Sequence, residues 1–235
     1  MDVRQFADGA AAVEACGTQI LEWLREAIAQ TGRAALAISG GSSPRPMFER
    51  FARTPFEWER VHLFWVDERG VPPSDSQSNF KFTQDTWLKA GNFPAANIHR
   101  IEAERDPAEA AARYSADIRK FFGLAEGELP HFDVMHRGMG PDAHTASLFP
   151  GEALIDNRTE IAAAVWVEKF QQWRITLLPG VLLAARRTAL LATGADKAAA
   201  LRSVLQPPFD PRHYPAQIAS GDGTVWFVDA AAQKP

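Results

Sequence analysis

The chain has 235 residues, 46% of them hydrophobic, which is enough apolar material for a substantial core, and we expect one domain over residues 1–235. Its 25 basic and 29 acidic residues give a formal charge of -4 without any basic run, so nucleic acid is not expected as a partner. The single cysteine, Cys16, excludes a disulfide framework and a cysteine-based metal site. No apolar leader and no run of about 18 apolar residues is present, so we expect a soluble, cytoplasmic protein without membrane contact.

Apolar residues at helical spacing predict a first helix over residues 10–30. Short apolar runs then predict strands, most of them followed by a glycine-rich or polar loop and a helix. The predicted strands cover residues 34–38, 61–66, 97–100, 132–136, 161–167, 188–192 and 224–228. Helices are expected near Pro46, near Ser78 and after Asp106, where Pro107 and Glu109 complete an N-terminal capping signature.

The alternation of strands and helices predicts the fold class. It favours a largely parallel sheet with right-handed crossovers and helices on both faces, which is a three-layer α/β architecture. In such a sheet, ligands and reacting groups collect at the carboxyl ends of the strands. The loops that follow the strands are therefore the candidate sites.

Residues 133–151 form the most informative segment, because a predicted strand leads into a glycine turn that carries Asp142 and His144. An imidazole, with an ordinary pKa of about 6.5, can both take and return a proton near neutral pH. Asp142 lies two residues away and is placed to orient or charge-balance the ring. A helix is expected to begin near His144.

Three further loops carry groups that suit an anionic ligand. The loop Ser39-Gly40-Gly41-Ser42-Ser43-Pro44 offers backbone amides and hydroxyls to a phosphate, although a purely structural turn is the alternative. Asp67-Glu68-Arg69 brings three charges to the end of an apolar strand, where a solvated, salt-bridged turn is the alternative. In Thr193-Gly194-Ala195-Asp196-Lys197, we expect Thr193 and Asp196 to cap a helix.

Lys197 would then lie in the first turn of that helix, where the helix dipole disfavours a cation unless an anion binds beside it. An exposed lysine in contact with water is the alternative. Arg174 begins a possible strand, and by itself it would be an ordinary surface arginine.

Taken together and in chain order, these motifs resemble those of the 6-phosphogluconolactonase family. The motifs are Ile38-Ser39-Gly40-Gly41-Ser42-Ser43-Pro44, Trp65-Val66-Asp67-Glu68-Arg69 with Ser78-Asn79, Gly138 to Gly151, Arg174-Ile175-Thr176, and Gly194-Ala195-Asp196-Lys197-Ala198. The resemblance implies a Rossmann-like α/β fold shared with glucosamine-6-phosphate deaminases. It also implies hydrolysis of 6-phospho-D-glucono-1,5-lactone, a step of the oxidative pentose phosphate pathway.

This resemblance suggests a role for each candidate residue. His144 would take a proton from the attacking water and return one to the leaving oxygen, with Asp142 or Asp67 favouring the required tautomer. Arg69 would place the lactone or stabilise developing charge, and the amides of Gly40 and Gly41 would serve the oxyanion or the phosphate. The groups expected to hold the 6-phosphate are Arg174, Lys197, Ser42 and Ser43. The chemistry requires no metal, and no cofactor is expected.

The chain departs from the family pattern at three positions. Ala143 stands where the family commonly has glycine, and because alanine at positive φ costs about 1 kcal/mol or more, we expect an ordinary negative φ there. His136 and Arg137 replace apolar residues at the end of the strand. Arg137 is a candidate second cation near Asp133 or the substrate.

Two alternatives remain at this point. An aldose-ketose isomerase or deaminase acting on an amino sugar phosphate would share the fold, but such enzymes usually carry asparagine and glutamate shortly after the histidine, where this chain has Ser147 to Gly151 and then Glu152. A sugar-phosphate-binding module without catalysis is the other. We expect a monomer or a weak homo-oligomer.

Overall fold

A parallel sheet of seven strands organises the computed structural model, which describes residues 2–219 and 223–233. The expected domain over residues 1–235 therefore includes six positions outside the described ranges, 1, 220–222 and 234–235. The strands are β1 (Asp2–Phe6), β2 (Ala34–Ile38), β3 (Val61–Trp65), β4 (Asp67–Arg69), β5 (Ile98–His99), β6 (Val134–Gly138), β7 (Ala162–Val167), β8 (Gln172–Leu177), β9 (Thr188–Ala192) and β10 (Thr224–Asp229). The α-helices are α1 (Gly9–Thr31), α2 (Arg45–Phe51), α3 (Asn79–Thr83), α4 (Pro107–Phe122), α5 (Pro179–Ala184) and α6 (Ala198–Leu205).

The order of strands in the large sheet is β1-β10-β9-β6-β2-β3-β5, and each neighbouring pair is parallel. From β2 the chain moves to β3 and β5 on one side, and it then returns to build β6, β9 and β10 on the other. The strand order thus reverses between β2 and β6, which is where α/β sheets open a crevice for ligands. The predicted parallel α/β sheet is confirmed.

Successive residues of β9 and β10 face opposite sides of the sheet, and each side has its own apolar cluster. Ala189, Leu191, Val225 and Phe227 belong to the larger cluster, which includes the buried face of α1. Leu190, Ala192, Trp226 and Val228 belong to a second, smaller cluster with α6. Helices therefore cover both faces, as a sheet buried on both sides requires.

Local sequence signals predicted several elements correctly. The predicted strand 188–192 matches β9, and the Asp106 carboxylate caps α4 by accepting hydrogen bonds from the N–H groups of Ala108 and Glu109 at 3.0 and 3.1 Å.

The predicted strand 132–136 is wrong by two residues, since β6 is Val134–Gly138. Strand β1 was not predicted because it is a polar edge strand with exposed side chains.

A second sheet, of three antiparallel strands in the order β4-β8-β7, was also not predicted. The predicted strand 161–167 does form as β7, but it pairs with β8 in a hairpin rather than joining the parallel sheet. Trp166 and Trp173 lie opposite each other in this hairpin, with ring centroids 5.6 Å apart, and both are exposed. We call residues 162–177 the β7–β8 hairpin.

None of the helices in the described ranges is both long enough and apolar enough to cross a bilayer.

The hydroxyl of Tyr114, on α4, completes the hydrogen bonding of β3. Strand β5 pairs only with Leu63 and Phe64, so the backbone of Trp65 extends beyond its last strand partner on that side. The Tyr114 hydroxyl donates to the Trp65 carbonyl at 2.7 Å and accepts from the Trp65 N–H at 3.0 Å. Because both backbone groups are buried, the hydroxyl supplies the hydrogen-bond partners that a neighbouring strand would otherwise provide.

We therefore expect Tyr114→Phe to lower the free energy of unfolding by about 2 kcal/mol, since two buried backbone groups lose their partner. Urea denaturation followed by circular dichroism measures the change. The same substitution at the other tyrosine, Tyr214→Phe, is the control and should change stability by less than about 0.5 kcal/mol. Equal effects at the two positions would contradict the role given to Tyr114.

Candidate active site

The candidate site is a cavity at the carboxyl ends of β2, β3, β6 and β9, four strands that are neighbours in the sheet. Nine of the ten residues predicted for the site line this central cavity: Gly40, Gly41, Ser42, Ser43, Asp67, Arg69, His144, Arg174 and Lys197. The tenth, Asp142, lies directly behind His144. The loops therefore meet as the parallel sheet predicts.

Asp142 holds the His144 ring by its Nδ1 atom. One carboxylate oxygen lies 2.5 Å from Nδ1 and also accepts the His144 backbone N–H at 3.3 Å. The other oxygen accepts from Lys169 Nζ at 3.1 Å. Burial acts to raise the pKa of Asp142, but the hydrogen bonds and the charge of these partners hold it well below its usual range. Asp142 therefore stays ionised, and the Nε2 atom of His144 is left for chemistry.

The turn before His144 requires a glycine at position 140. A Cβ on Gly140 would lie 2.0 Å from His144 Nδ1 and 2.7 Å from the Asp142 carboxylate. The backbone N–H of Gly140 donates a hydrogen bond to the His144 carbonyl at 2.9 Å, which closes the turn. The close packing of imidazole on bare backbone fixes the ring position.

The expectation of an ordinary negative φ at Ala143 is wrong, since φ is +64°. Its N–H donates to the Gly140 carbonyl at 3.0 Å, and its carbonyl accepts from the Ala216 N–H at 2.8 Å. The methyl group is buried in the second cluster. These contacts over-determine the conformation and hold a backbone that alanine does not favour. The expected helix near His144 is also wrong, because turns follow the residue.

Two arginines reach the cavity from the small sheet. Arg69 on β4 lies directly opposite Arg174 on β8 in the strand register. The Arg174 side chain is buried, its Nη1 atom is 4.0 Å from the Asp67 carboxylate, and its Nε atom has no hydrogen-bond partner in the described ranges. Burial lowers the pKa of Arg174, and Asp67 opposes that shift. Arg174 is therefore a buried cation in the cavity wall and not an ordinary surface arginine, and its expected role in holding a phosphate stays a prediction.

Asp67 and Glu68 have structural partners that the sequence did not indicate. The Asp67 carboxylate accepts the Ser147 hydroxyl at 2.6 Å, so Asp142 and not Asp67 contacts His144. Glu68 is buried and accepts the N–H groups of Asn79 and Phe80 at 2.7 and 2.8 Å. This carboxylate ties the start of α3 to β4 and fixes Asn79 beside the cavity.

Lys197 lies at the rim of the cavity, immediately before α6. The predicted capping pair of Thr193 and Asp196 does not form, since Gly194 is the cap of the short 3-10 turn at Ala195–Lys197 and no side chain caps it. Asp196 instead lies 2.9 Å from Lys197 Nζ. The lysine is mostly buried, with 17% of its side chain exposed, so it is not a freely solvated surface residue.

The glycine-serine loop approaches the start of α3 closely. A Cβ on Gly40 would lie 2.1 Å from Asn79 Oδ1, so only glycine fits there, and Gly41 has a φ of +106°. Ser42 and Ser43 are exposed at the cavity mouth. The loop thus presents hydroxyls and backbone toward the space that Lys197 faces.

His136 and Arg137 point to opposite faces of the sheet. His136 lines the central cavity, whereas Arg137 does not. Arg137 pairs in register with Leu190 of the second cluster, is fully buried, and has no hydrogen-bond partner in the described part of the chain. Burial lowers the pKa of Arg137 to about 9. The suggestion that Arg137 adds a cation near Asp133 or the substrate is therefore wrong.

The β7–β8 hairpin supplies contacts that sequence reasoning missed. Its tip carries Lys169, the second partner of Asp142, and Phe170, which lies 5.0 Å from the Arg174 guanidinium. Phe149 stacks on the His144 ring with centroids 4.3 Å apart and also contacts Phe170. The antiparallel pairing of β7 and β8 brings this tip into contact with Asp142 and Arg174, and no local sequence motif predicts that contact.

Known proteins resemble this chain in sequence and in fold. Residues 7–227 match the family model described as glucosamine-6-phosphate isomerases/6-phosphogluconolactonase. The 6-phosphogluconolactonase of Nostoc sp. is 39% identical over 215 residues, which cover 91% of this chain and 89% of that protein. The crystal structure of a devB protein superposes with a TM-score of 0.88 at 32% identity, covering 98% of this chain and 97% of that one.

The 6-phosphogluconolactonase structure from Thermotoga maritima gives a TM-score of 0.85 at 26% identity, over 97% of this chain and 99% of that one. The matches extend beyond the motifs to nearly the whole sequence and the whole sheet. The chain belongs to the glucosamine-6-phosphate isomerase/6-phosphogluconolactonase family.

Proposed function

We propose that the protein hydrolyses 6-phospho-D-glucono-1,5-lactone to 6-phosphogluconate, a step of the oxidative pentose phosphate pathway. The observation that carries this proposal is the sharing of one cavity by the Asp142–His144 pair and the cations Lys197, Arg174 and Arg69. The names of the relatives from Nostoc sp. and Thermotoga maritima support the same activity.

His144 is the general base of the proposed reaction. Because Asp142 accepts a hydrogen bond from Nδ1–H, the lone pair of the neutral ring is on Nε2. Nε2 takes a proton from a water molecule as the water oxygen bonds to C1 of the lactone, and the carbonyl electron pair moves onto the carbonyl oxygen. The ionised carboxylate of Asp142 stabilises the imidazolium that results.

The tetrahedral intermediate collapses when its oxygen re-forms the carbonyl and the bond from C1 to the ring oxygen breaks. The leaving oxygen receives the proton from His144 Nε2 and becomes the C5 hydroxyl. The new carboxylic acid at C1 loses its proton to solvent, so each turnover releases one acid equivalent and returns His144 to its neutral form.

The cations divide between the reacting carbonyl and the phosphate. Arg69, beside Asp67 at the end of β4, would stabilise charge on the carbonyl oxygen. Lys197 and Arg174, with the hydroxyls of Ser42 and Ser43, would hold the 6-phosphate. Binding energy from the phosphate then fixes the distant C1 against His144, which raises the rate at which the bound lactone reacts.

A coupled assay tests this function. Glucose 6-phosphate dehydrogenase supplies fresh lactone, and acid release is compared with the spontaneous rate. Glucosamine 6-phosphate, assayed for ammonia, tests the deaminase alternative, and binding without turnover would favour the non-catalytic module. The cytoplasmic location, the absence of a cofactor, and the monomeric or weakly oligomeric state stay predictions.

We expect His144→Ala to lower kcat by about 10² to 10⁴, the usual contribution of a general base. His213→Ala is the matched control, because His213 also bonds an aspartate, Asp210, at 2.6 Å but lies exposed and outside the cavity. A His144→Ala enzyme with near wild-type turnover would contradict the proton-transfer role.

Lys197→Ala should raise KM for the phosphorylated lactone about tenfold or more, since a charge-assisted hydrogen bond is lost, while hydrolysis of phosphate-free gluconolactone should not change. Lys89→Ala, at a lysine with 65% side-chain exposure, is the control. An unchanged KM for the phosphorylated substrate would remove Lys197 from the phosphate site.

Gly140→Ala should lower kcat by about 10² or more with the fold retained, because the added methyl group displaces His144 from its position. Gly138→Ala is the comparison, since the nearest atom to a Cβ there is 4.0 Å away. Steady-state kinetics and thermal melts measure both variants, and equal activities would show that Gly140 does not fix the ring.

A further inference from the structure

His136 is a buried polar residue that the proposed mechanism does not use. It lies in the middle of β6 and lines the same cavity as His144, yet only 1% of its surface is exposed. Neither ring nitrogen has a hydrogen-bond partner in the described ranges. The ring edge packs against Phe48, with centroids 6.1 Å apart, so its neighbours on that side are apolar.

An imidazole in this position has hydrogen-bonding groups that the described part of the protein does not satisfy. A neutral ring has one N–H donor and one nitrogen acceptor, and each costs free energy when buried without a partner. An apolar side chain would fill the same space without that cost. His136 lines the cavity, so a ligand bound there is the partner that can reach this residue from outside the protein.

The ring offers hydrogen bonds rather than charge. Burial lowers the pKa of His136 to about 4, so the ring is neutral at physiological pH. A phosphate only accepts hydrogen bonds and already has the cations Lys197 and Arg174 available in the same cavity. A sugar hydroxyl both donates and accepts, which matches the two kinds of nitrogen in a neutral imidazole.

Two other residues of the cavity also carry an uncharged polar atom without a hydrogen-bond partner in the described ranges. Ser39 and Asn79 also line the cavity, and the Ser39 hydroxyl and the Asn79 Oδ1 atom have no hydrogen-bond partner in the described part of the chain. Ser39 is adjacent to His136, since its N–H donates to the His136 carbonyl at 3.0 Å. His136, Ser39 and Asn79 thus give the cavity uncharged polar groups. These differ from its cations, which are Arg69, Arg174 and Lys197.

We propose that His136 is a specificity-determining residue whose imidazole hydrogen-bonds a ring hydroxyl of the sugar lactone. This inference rests on the proposed function and deepens it. His136 takes no part in proton transfer. It selects lactones that carry a hydroxyl at the position it faces, and it discriminates against their deoxy counterparts.

Substrates that lack single hydroxyls test the proposal. The kcat/KM of wild type and His136→Leu is measured for 6-phosphogluconolactone and for its 2-deoxy, 3-deoxy and 4-deoxy analogues. We expect His136→Leu to lose about tenfold on the full substrate, as one neutral hydrogen bond predicts, and less than twofold on the one analogue that lacks the contacted hydroxyl. Met135→Leu, a buried neighbour outside the cavity, is the control and should change neither value.

Two kinetic results would overturn the inference. One is a His136→Leu enzyme within twofold of wild type on every substrate. The other is an equal loss on all four substrates, which would make His136 a packing residue. His136→Asn, which keeps a donor and an acceptor, should recover part of the loss if the hydrogen bond is the cause.

A binding measurement needs neither a folded leucine variant nor turnover. In wild-type protein with ¹⁵N-labelled histidine, 6-phosphogluconate should shift the ring-nitrogen signals of His136 and inorganic phosphate should not. No shift with 6-phosphogluconate, or the same shift with phosphate alone, would overturn the inference. A wild-type enzyme that fails to exceed the spontaneous rate of lactone opening would instead overturn the proposed function, so the two failures are distinguishable.

Discussion

The parallel direction of the large sheet is the constraint on which the site depends. Each neighbouring pair of its seven strands is parallel, so every strand releases its chain at the same edge. Backbone hydrogen bonds between β9, β6, β2 and β3 set the spacing of the loops that follow them. The histidine turn after β6 and the glycine loop after β2 are neighbours for this reason, although about one hundred residues separate them in the chain. The small sheet then adds Arg174 from a second direction.

Charge is distributed unevenly between the whole chain and the cavity. The chain has a net charge of -4, yet Arg69, Arg174 and Lys197 line one cavity, with Asp67 as a carboxylate within it. Bringing like charges together in a partly buried space is unfavourable, and an anionic ligand offsets that cost. Asp142, held ionised, places a negative charge beside His144 in the same region. The low dielectric of a partly buried cavity would also strengthen the attraction between these cations and an anionic ligand.

The sequence predicted those parts of the fold and site that depend on local patterns. Short apolar runs predicted the strands of the parallel sheet except the polar edge strand β1, and the glycine turn after β6 predicted His144 with Asp142. The failures arose where distant contacts decide. Positive φ at Ala143 is held by its hydrogen bonds with the Gly140 carbonyl and the Ala216 N–H, and the hairpin that supplies Lys169 depends on pairing between β7 and β8. Arg137 was misplaced because adjacent residues of a strand face opposite sides, so only one of two neighbouring polar residues can reach the cavity.

The two tryptophans of the β7–β8 hairpin give the molecule an internal optical label. All seven tryptophans lie in the described ranges; Trp166 and Trp173 are 40% and 43% exposed, and the other five are at most 8% exposed. A water-soluble quencher such as iodide should therefore quench the fluorescence of these two indoles more than that of the five buried ones. Their hairpin also carries Lys169, which contacts Asp142, so emission from these two indoles reports on the hairpin that supports the histidine turn, without any attached dye.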